Sequence, residues 1–187
     1  MHSNLYLITA PATEPVTVED AKVQCRVDHG VEDSFLQDNL IIGARQWAEA
    51  FTSRAFITQT WELKLPYFPD VIELPKPPLV SVTSIKYLDT SNTLQPWAEA
   101  NYIVTGIASE ARGRIEPAYG ISYPSTLLVP DAVRIIYVAG YGAAVAVPQG
   151  IKDAILYHVA ESYTNRERPD YSLAERTIWP WVETRFD

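Results

Sequence analysis

Cysteine is nearly missing from this chain. Cys25 stands alone, which excludes an internal disulfide and any multi-cysteine zinc site and points to a reducing compartment. Long apolar runs are missing as well: no stretch approaches the roughly 20 apolar residues that span a bilayer, so no membrane partner is expected. The opening MHSNLYLITAPATEP has no basic region followed by an apolar run, which argues against a secretory signal. Positive charge is scarce. Fifteen Lys and Arg stand against 23 Asp and Glu, for a net charge of −8 over 187 residues, and no basic patch or stripe of the kind that grips phosphates is visible. An acidic chain can still surround DNA without holding it, because repulsion keeps the polyanion sliding.

Catalytic motifs are missing too. AGYGAA around Gly140 and Gly142 has neither the spacing nor the Lys-Ser/Thr ending of a phosphate loop. There is no G-x-S-x-G elbow and no H-E-x-x-H. His2, His29 and His158 are scattered; His158 has Tyr157 and Glu161 near it on a helix, with Glu161 within interacting distance, and reads as a structural histidine on a half-buried face. Cys25 reads as a small buried hydrophobe with no activating partner. The pair Glu32 and Asp33 reads as helix-start electrostatics rather than an acid–base or metal pair. Trp61, Tyr67 and Phe68 lack the interleaved Lys and Arg of a base-stacking platform, with only Lys64 nearby. No catalytic residue, metal ligand or cofactor is expected, and the chain is read as a non-enzyme.

What is present is ordinary globular material: 47% hydrophobic, 20% charged and 11% aromatic residues, enough for a full core. Residues 33–65 organise it. Leu36, Leu40, Ala44, Trp47 and Phe51 recur at three or four residues, the stripe of an amphipathic helix. Asp33 and Ser34 are candidate N-caps, Glu32 and Asp38 suit the positive pole of the helix dipole, and Arg54 suits the other. From Phe56 the period becomes two, so helix feeds directly into a strand.

Before this, residues 1–16 read as an extended arm lying on the surface or on a neighbour. Thr17 and Asp20 form a capping box that opens a helix to about Val27, with Val18, Ala21 and Cys25 on one face. Gly30 suits the left-handed position at its end. After it, residues 57–140 read as β, with strands at 57–66, 71–74, 80–89, 101–106, 111–117 and 132–139 and a hairpin tip at Asp89–Asn92. The loop 118–130 mixes aromatics with turn residues and reads as a contact surface. Pro148 opens another helix, to about Arg166, whose inner stripe of Ile151, Ala154, Ile155, Val159 and Ser162 is suited to pack on Leu36, Leu40 and Trp47. Ser172 is a candidate cap for a short helix through Ile178 that Pro180 ends. Trp179, Trp181 and Phe186 either dock on another chain or fold back on their own core. The fold class is α+β: an α-helical body, 17–56 with 147–167, carrying a β-rich antiparallel insertion, 57–140, and a C-terminal segment, 168–187. The helix-packing core is expected at Leu36, Leu40, Trp47, Phe51, Ile151, Ile155 and Val159.

Five segments together carry a resemblance: Pro15–Leu63, Leu74–Thr90 (LPKPPLVSVTSIKYLDT), Gly113–Gly120 (GRIEPAYG), Val133–Gly142 (VRIIYVAGYG) and Val147–Glu167 (VPQGIKDAILYHVAESYTNRE). In that order they resemble the head–tail connector, or head-completion adaptor, proteins of long-tailed bacteriophages and gene transfer agents. The resemblance implies a structural virion protein. It implies a homo-oligomeric ring of about twelve copies seated on the portal protein at the head–tail junction, after a soluble stage in the host cytoplasm. Such a ring extends the channel through which double-stranded DNA passes without sequence-specific binding, and it offers a platform to the next neck, stopper or tail-completion protein. It also implies that the helices of 17–56 and 147–167 form the ring body, that the β-rich insertion sits toward its outside, and that Trp179, Trp181 and Phe186 in the C-terminal docking segment 168–187 are portal anchors. Two other readings stand beside it. One is a tail-completion or terminator protein of the same assembly, a class with fewer helices. The other is an enzyme or small-molecule binding module with a pocket under the 118–130 loop.

Overall fold

The computed structural model describes residues 4–183. Helices and antiparallel strands divide between two units, one of residues 12–57 and 141–183, the other of residues 4–11 and 58–140.

The helical unit opens with α1, Val18–Cys25. Its capping box closes from both sides: Asp20 N–H donates to Thr17 Oγ1 at 3.1 Å, and Thr17 N–H donates to the Asp20 carboxylate at 2.9 Å. Ala21 is fully buried, and Val18 and Cys25 pack beside it. The helix stops earlier than the sequence suggests. Arg26, not Gly30, takes the left-handed conformation (φ 58°), and its N–H returns to the carbonyls of Lys22 and Val23.

The next helix is interrupted in a way its sequence does not show. It starts as α2, Asp33–Phe35, passes through a π-helical turn, Leu36–Ile41, and continues as α3, Ile42–Thr52. A π turn adds one residue per cycle, so the inward step after Leu36 is five residues long. The face then runs through Ile41, Ala44, Arg45, Ala48, Glu49 and Thr52, all buried. Leu40, Trp47 and Phe51 from the predicted stripe lie one residue round and are partly buried against that core. Neither Asp33 nor Ser34 is the N-cap. Glu32 holds that position without a side-chain cap bond. It accepts instead from the Tyr163 hydroxyl and from Arg166 at 3.1 Å, while Asp33 pairs with Lys22 at 2.9 Å. The helix start is tied to its neighbours rather than to its own amides. Arg54 follows the Ser53 C-cap at the negative end of the helix, where it is buried and its Nε donates to the Trp181 carbonyl.

The chain returns to this unit at Tyr141, whose N–H donates to the Phe56 carbonyl at 3.0 Å. A 3₁₀ turn, Ala144–Ala146, leads to α4, Gln149–Thr164, with Pro148 as its N-cap. Ile151, Ala154, Ile155 and Val159 are fully buried together with Leu36, Ile41 and Phe56; Ser162 is only half-buried and meets Tyr171 Oη at 3.1 Å. Next comes α5, Ser172–Ile178, capped by Tyr171 rather than Ser172, with Asp170 accepting the Ser172 N–H.

The β unit holds a five-stranded sheet in the order β1-β2-β8-β4-β5, antiparallel throughout, and a three-stranded antiparallel sheet β3-β7-β6. The strands are β1 Asn4–Thr9, β2 Gln59–Leu65, β3 Ile72–Leu74, β4 Leu79–Leu88, β5 Leu94–Pro96, β6 Tyr102–Thr105, β7 Gly113–Pro117 and β8 Val133–Ala139. Two of them lie outside the strands expected from the sequence. Asn4–Thr9, within the expected extended arm of residues 1–16, is the edge strand on β2. The short β5 completes a hairpin whose tip Asp89 holds by accepting from Ser91 and Thr93 N–H at 2.9 Å each. Period-two burial is cleanest in β8, where Val133, Ile135, Tyr137 and Ala139 are fully buried. Gly113 permits the closest approach: a Cβ there would lie 2.3 Å from the Leu79 side chain.

One polar network lies inside the helical unit. Arg45 Nε donates to Glu14 at 2.7 Å and its terminal nitrogen to Glu49 at 2.8 Å, while the other oxygen of Glu49 accepts the Phe56 N–H at 3.0 Å. Arg45→Met would remove the buried guanidinium that Glu14 and Glu49 share. Its unfolding free energy in urea should fall by about 3 kcal/mol, the cost of breaking a buried pair. A loss below about 1 kcal/mol would mean that the ions are effectively solvated.

Candidate functional site

The residues singled out for chemistry do not converge. Among the described residues no group of three or more His, Cys, Asp or Glu side chains could hold a metal ion. Burial pushes the Cys25 thiol up, away from the thiolate that nucleophilic work needs. His158 lies between aromatic rings, its centroid 4.0 Å from Tyr171 in a parallel stack and 4.6 Å from Trp47. Burial brings its pKa down from 6.5 to about 4, so the imidazole is neutral at pH 7. Glu161 does not partner it. That carboxylate accepts from Asn165 at 2.6 Å and from the Asp170 N–H at 2.9 Å, while the nearest polar group to His158 Nδ1 is Ser162 Oγ at 3.5 Å. A hollow of about 250 Å³ opens beside Tyr157, Glu161, Asp170 and Leu173, and no residue of the 118–130 loop lines it. Within that loop Tyr123 stacks on Phe68 at 4.7 Å, and Tyr119 and Leu128 are exposed.

The C-terminal aromatics divide. Trp181 packs against the helical core over Gly150, where even a Cβ would lie 2.2 Å from its ring. Trp179, two residues before it, is 67% exposed and meets Phe51 edge-on, with ring centroids 6.3 Å apart. Phe186 lies outside the described residues.

Solved structures match this architecture along its whole length. A chain from the virion of a native gene transfer agent (GTA) particle shares 26% identity over 97% of this chain and 96% of its own, with a TM-score of 0.81. A chain from the neck of an empty GTA particle, computed with C6 symmetry, shares 25% over the same proportions with a TM-score of 0.80. The fold is that of GTA particle chains. A further chain, from the neck of a native GTA particle computed with C12 symmetry, has a TM-score of 0.70 at 22% identity over 96% of each chain, a likeness of fold alone. No family model and no curated protein matches the sequence. The similarity to neck and virion chains supports a structural virion neck protein, and surfaces rather than pockets become the places to look for function.

Sequence reasoning missed Glu14, Arg45 and Glu49, because charges on an amphipathic helix read as its wet side. It also missed a row of cations in the β unit, which forms only through strand register.

His158 gives the helical unit a defined acid sensitivity. Its folded pKa is depressed, so between about pH 6.5 and pH 4 the unfolded chain takes up a proton that the folded one refuses, and stability falls as pH drops through that window. In His158→Phe the loss of unfolding free energy between about pH 7 and pH 5 should be smaller than in the wild type, because the proton uptake is gone. An equal loss in both would assign the sensitivity elsewhere.

Proposed function

We propose that this chain is a head–tail connector of a phage-like particle or gene transfer agent. It assembles as a homo-oligomeric ring of about twelve copies on the portal, extends the DNA channel and presents a platform to the next neck, stopper or tail-completion protein. The observation that carries the reading is the full-length likeness to GTA virion and neck chains. The C6 and C12 symmetries of those necks support a ring of copies. The helices support a connector over a tail terminator, since α1 to α5 form a unit of their own. Net charge supports a lumen that DNA traverses without sticking: at −8 the chain repels a polyanion overall.

In this reading the protein is a virion component that is soluble in the host cytoplasm before assembly, and the segment after α4 meets the portal. Trp179 is its exposed anchor. Trp181 serves that contact from behind, by fixing the segment on α4.

Two measurements test this. The mass of the purified protein, alone and with its portal, should report a ring of about twelve copies in at least one of the two states. A monomer in both discards the connector reading. Trp179→Ala should change unfolding free energy by no more than about 0.5 kcal/mol, as surface substitutions do, yet weaken portal binding by at least about 2 kcal/mol, as loss of a central indole does. Unchanged portal binding removes Trp179 from the interface.

A further inference from the structure

The register of the five-stranded sheet brings together three cations that are far apart in the chain. Lys64 on β2 lies directly opposite Arg134 on β8, and Arg134 lies directly opposite Lys86 on β4. Residues paired in this way share a face. Here it is the face turned away from the sheet's buried side, since Leu63, Leu65, Val133, Ile135 and Ile85 point the other way into the core. Strand spacing places the three side chains about 5 Å apart, a stripe about 10 Å long.

Like charges directly opposite each other on a sheet are destabilising, and this chain does little to relieve them. Lys64 meets Glu62 at 3.5 Å and lies over the Tyr6 ring. Arg134 and Lys86 make no ion pair among the described residues. The Nε of Arg134 is buried and has no hydrogen-bond partner, a costly state for a guanidinium unless something else completes it.

The same unit carries the opposite charge elsewhere, also unpaired. Asp70, Glu99 and Glu116 are exposed, and among the described residues they have no counter-ion. They surround one aromatic nest. Asp70 follows Phe68, which stacks on Tyr123. Glu99 opens the 3₁₀ turn Glu99–Asn101 that leads into β6 at Tyr102, and Trp97 lies 5.2 Å from the Tyr102 and Tyr123 rings. Glu116 on β7 faces Ile103 on β6. Burial pushes the Tyr123 hydroxyl up to about 12, and Glu116 and Asp70 add to it, as nearby negative charges must.

We propose that the stripe Lys64, Arg134 and Lys86 of one copy docks on the carboxylates Asp70, Glu99 and Glu116 of a second copy, head to tail. This rests on the ring reading and names the surfaces that would join its members. Row against row repels, as does acid against acid, so the contact is heterologous, the kind that closes into rings. The alternative anion is the DNA backbone, but three cations neutralise about three phosphates, well short of the roughly 6–10 contacts of a salt-sensitive binder. The partner carboxylates exist on this chain, in matching number.

The experiment compares full-length chains with and without portal by sedimentation. Arg134→Glu with Lys86→Glu, and separately Glu99→Lys with Glu116→Lys, should each weaken association of copies by at least about tenfold, with a reduced salt dependence. An equimolar mixture of the two variants should regain assembly with the variants alternating, because the intact stripe of one meets the intact carboxylates of the other and the two reversed surfaces complement each other. The chain carrying all four reversals should regain assembly, since the charges are complementary again. Circular dichroism and urea midpoints verify that each variant is folded. Reversed variants that assemble as well as a wild type that forms rings overturn the interface and leave the ring intact. A wild type that stays monomeric in every state overturns both. Binding of a 20-base-pair duplex that is lost in Arg134→Glu with Lys86→Glu assigns the stripe to DNA and also overturns the proposal.

Discussion

The helical unit depends on one buried cation. Arg45 takes a carboxylate from the segment before α1 and another from its own helix, and Glu49 passes the connection on to the backbone of Phe56. Burial alone would lower the guanidinium's pKa; hydrogen bonds and charge from Glu14 and Glu49 reverse this and hold it raised. Three segments that a purely apolar core would leave free to slide are thereby fixed in register. The entry to α1, the inner face of α3 and the exit toward β2 then present a single surface for α4. The Glu32 clasp on Tyr163 and Arg166 acts at the far end of the same helix pair.

How much of this was legible depends on how local each signal is. Strands β2, β3, β4, β6, β7 and β8 announce themselves by alternation and turn residues, and the capping box of α1 can be read from Thr17 and Asp20 alone. The π turn cannot. Leu36 and Leu40 satisfy a helical stripe on paper, and only packing against α4 decides that Ile41 goes inward instead. Strand β1 was missed because Asn4–Thr9 shows its partner only across a gap of more than fifty residues, and β5 because three residues ending in Pro96 carry no pattern of their own.

The charged surfaces follow the same rule. Lys64, Lys86 and Arg134 are unremarkable in sequence, each isolated among apolar or polar neighbours, and a count of charges finds only an acidic chain. Register makes them adjacent. Trp179 and Trp181, two residues apart, look equivalent until Gly150 provides the space that one of them occupies. Pairwise geometry, rather than composition, separates an exposed indole from a packed one here.

Pairing of β2 with β8 has a consequence for how the chain comes together. Gln59 lies opposite Ala139, so the first and last strands of the insertion are neighbours, and the backbone just outside them closes through Tyr141 and Phe56. The two halves of the helical unit are far apart in synthesis, with Glu32 and Tyr163 separated by 131 residues. Closing so long a loop in an unstructured chain is entropically unfavourable and slows folding. A sheet that has already paired Gln59 with Ala139 shortens that loop to the 27 positions from Glu32 to Gln59 and the 24 from Ala139 to Tyr163. Pairing within the insertion thus lowers the entropic cost of bringing the two halves of the helical unit together.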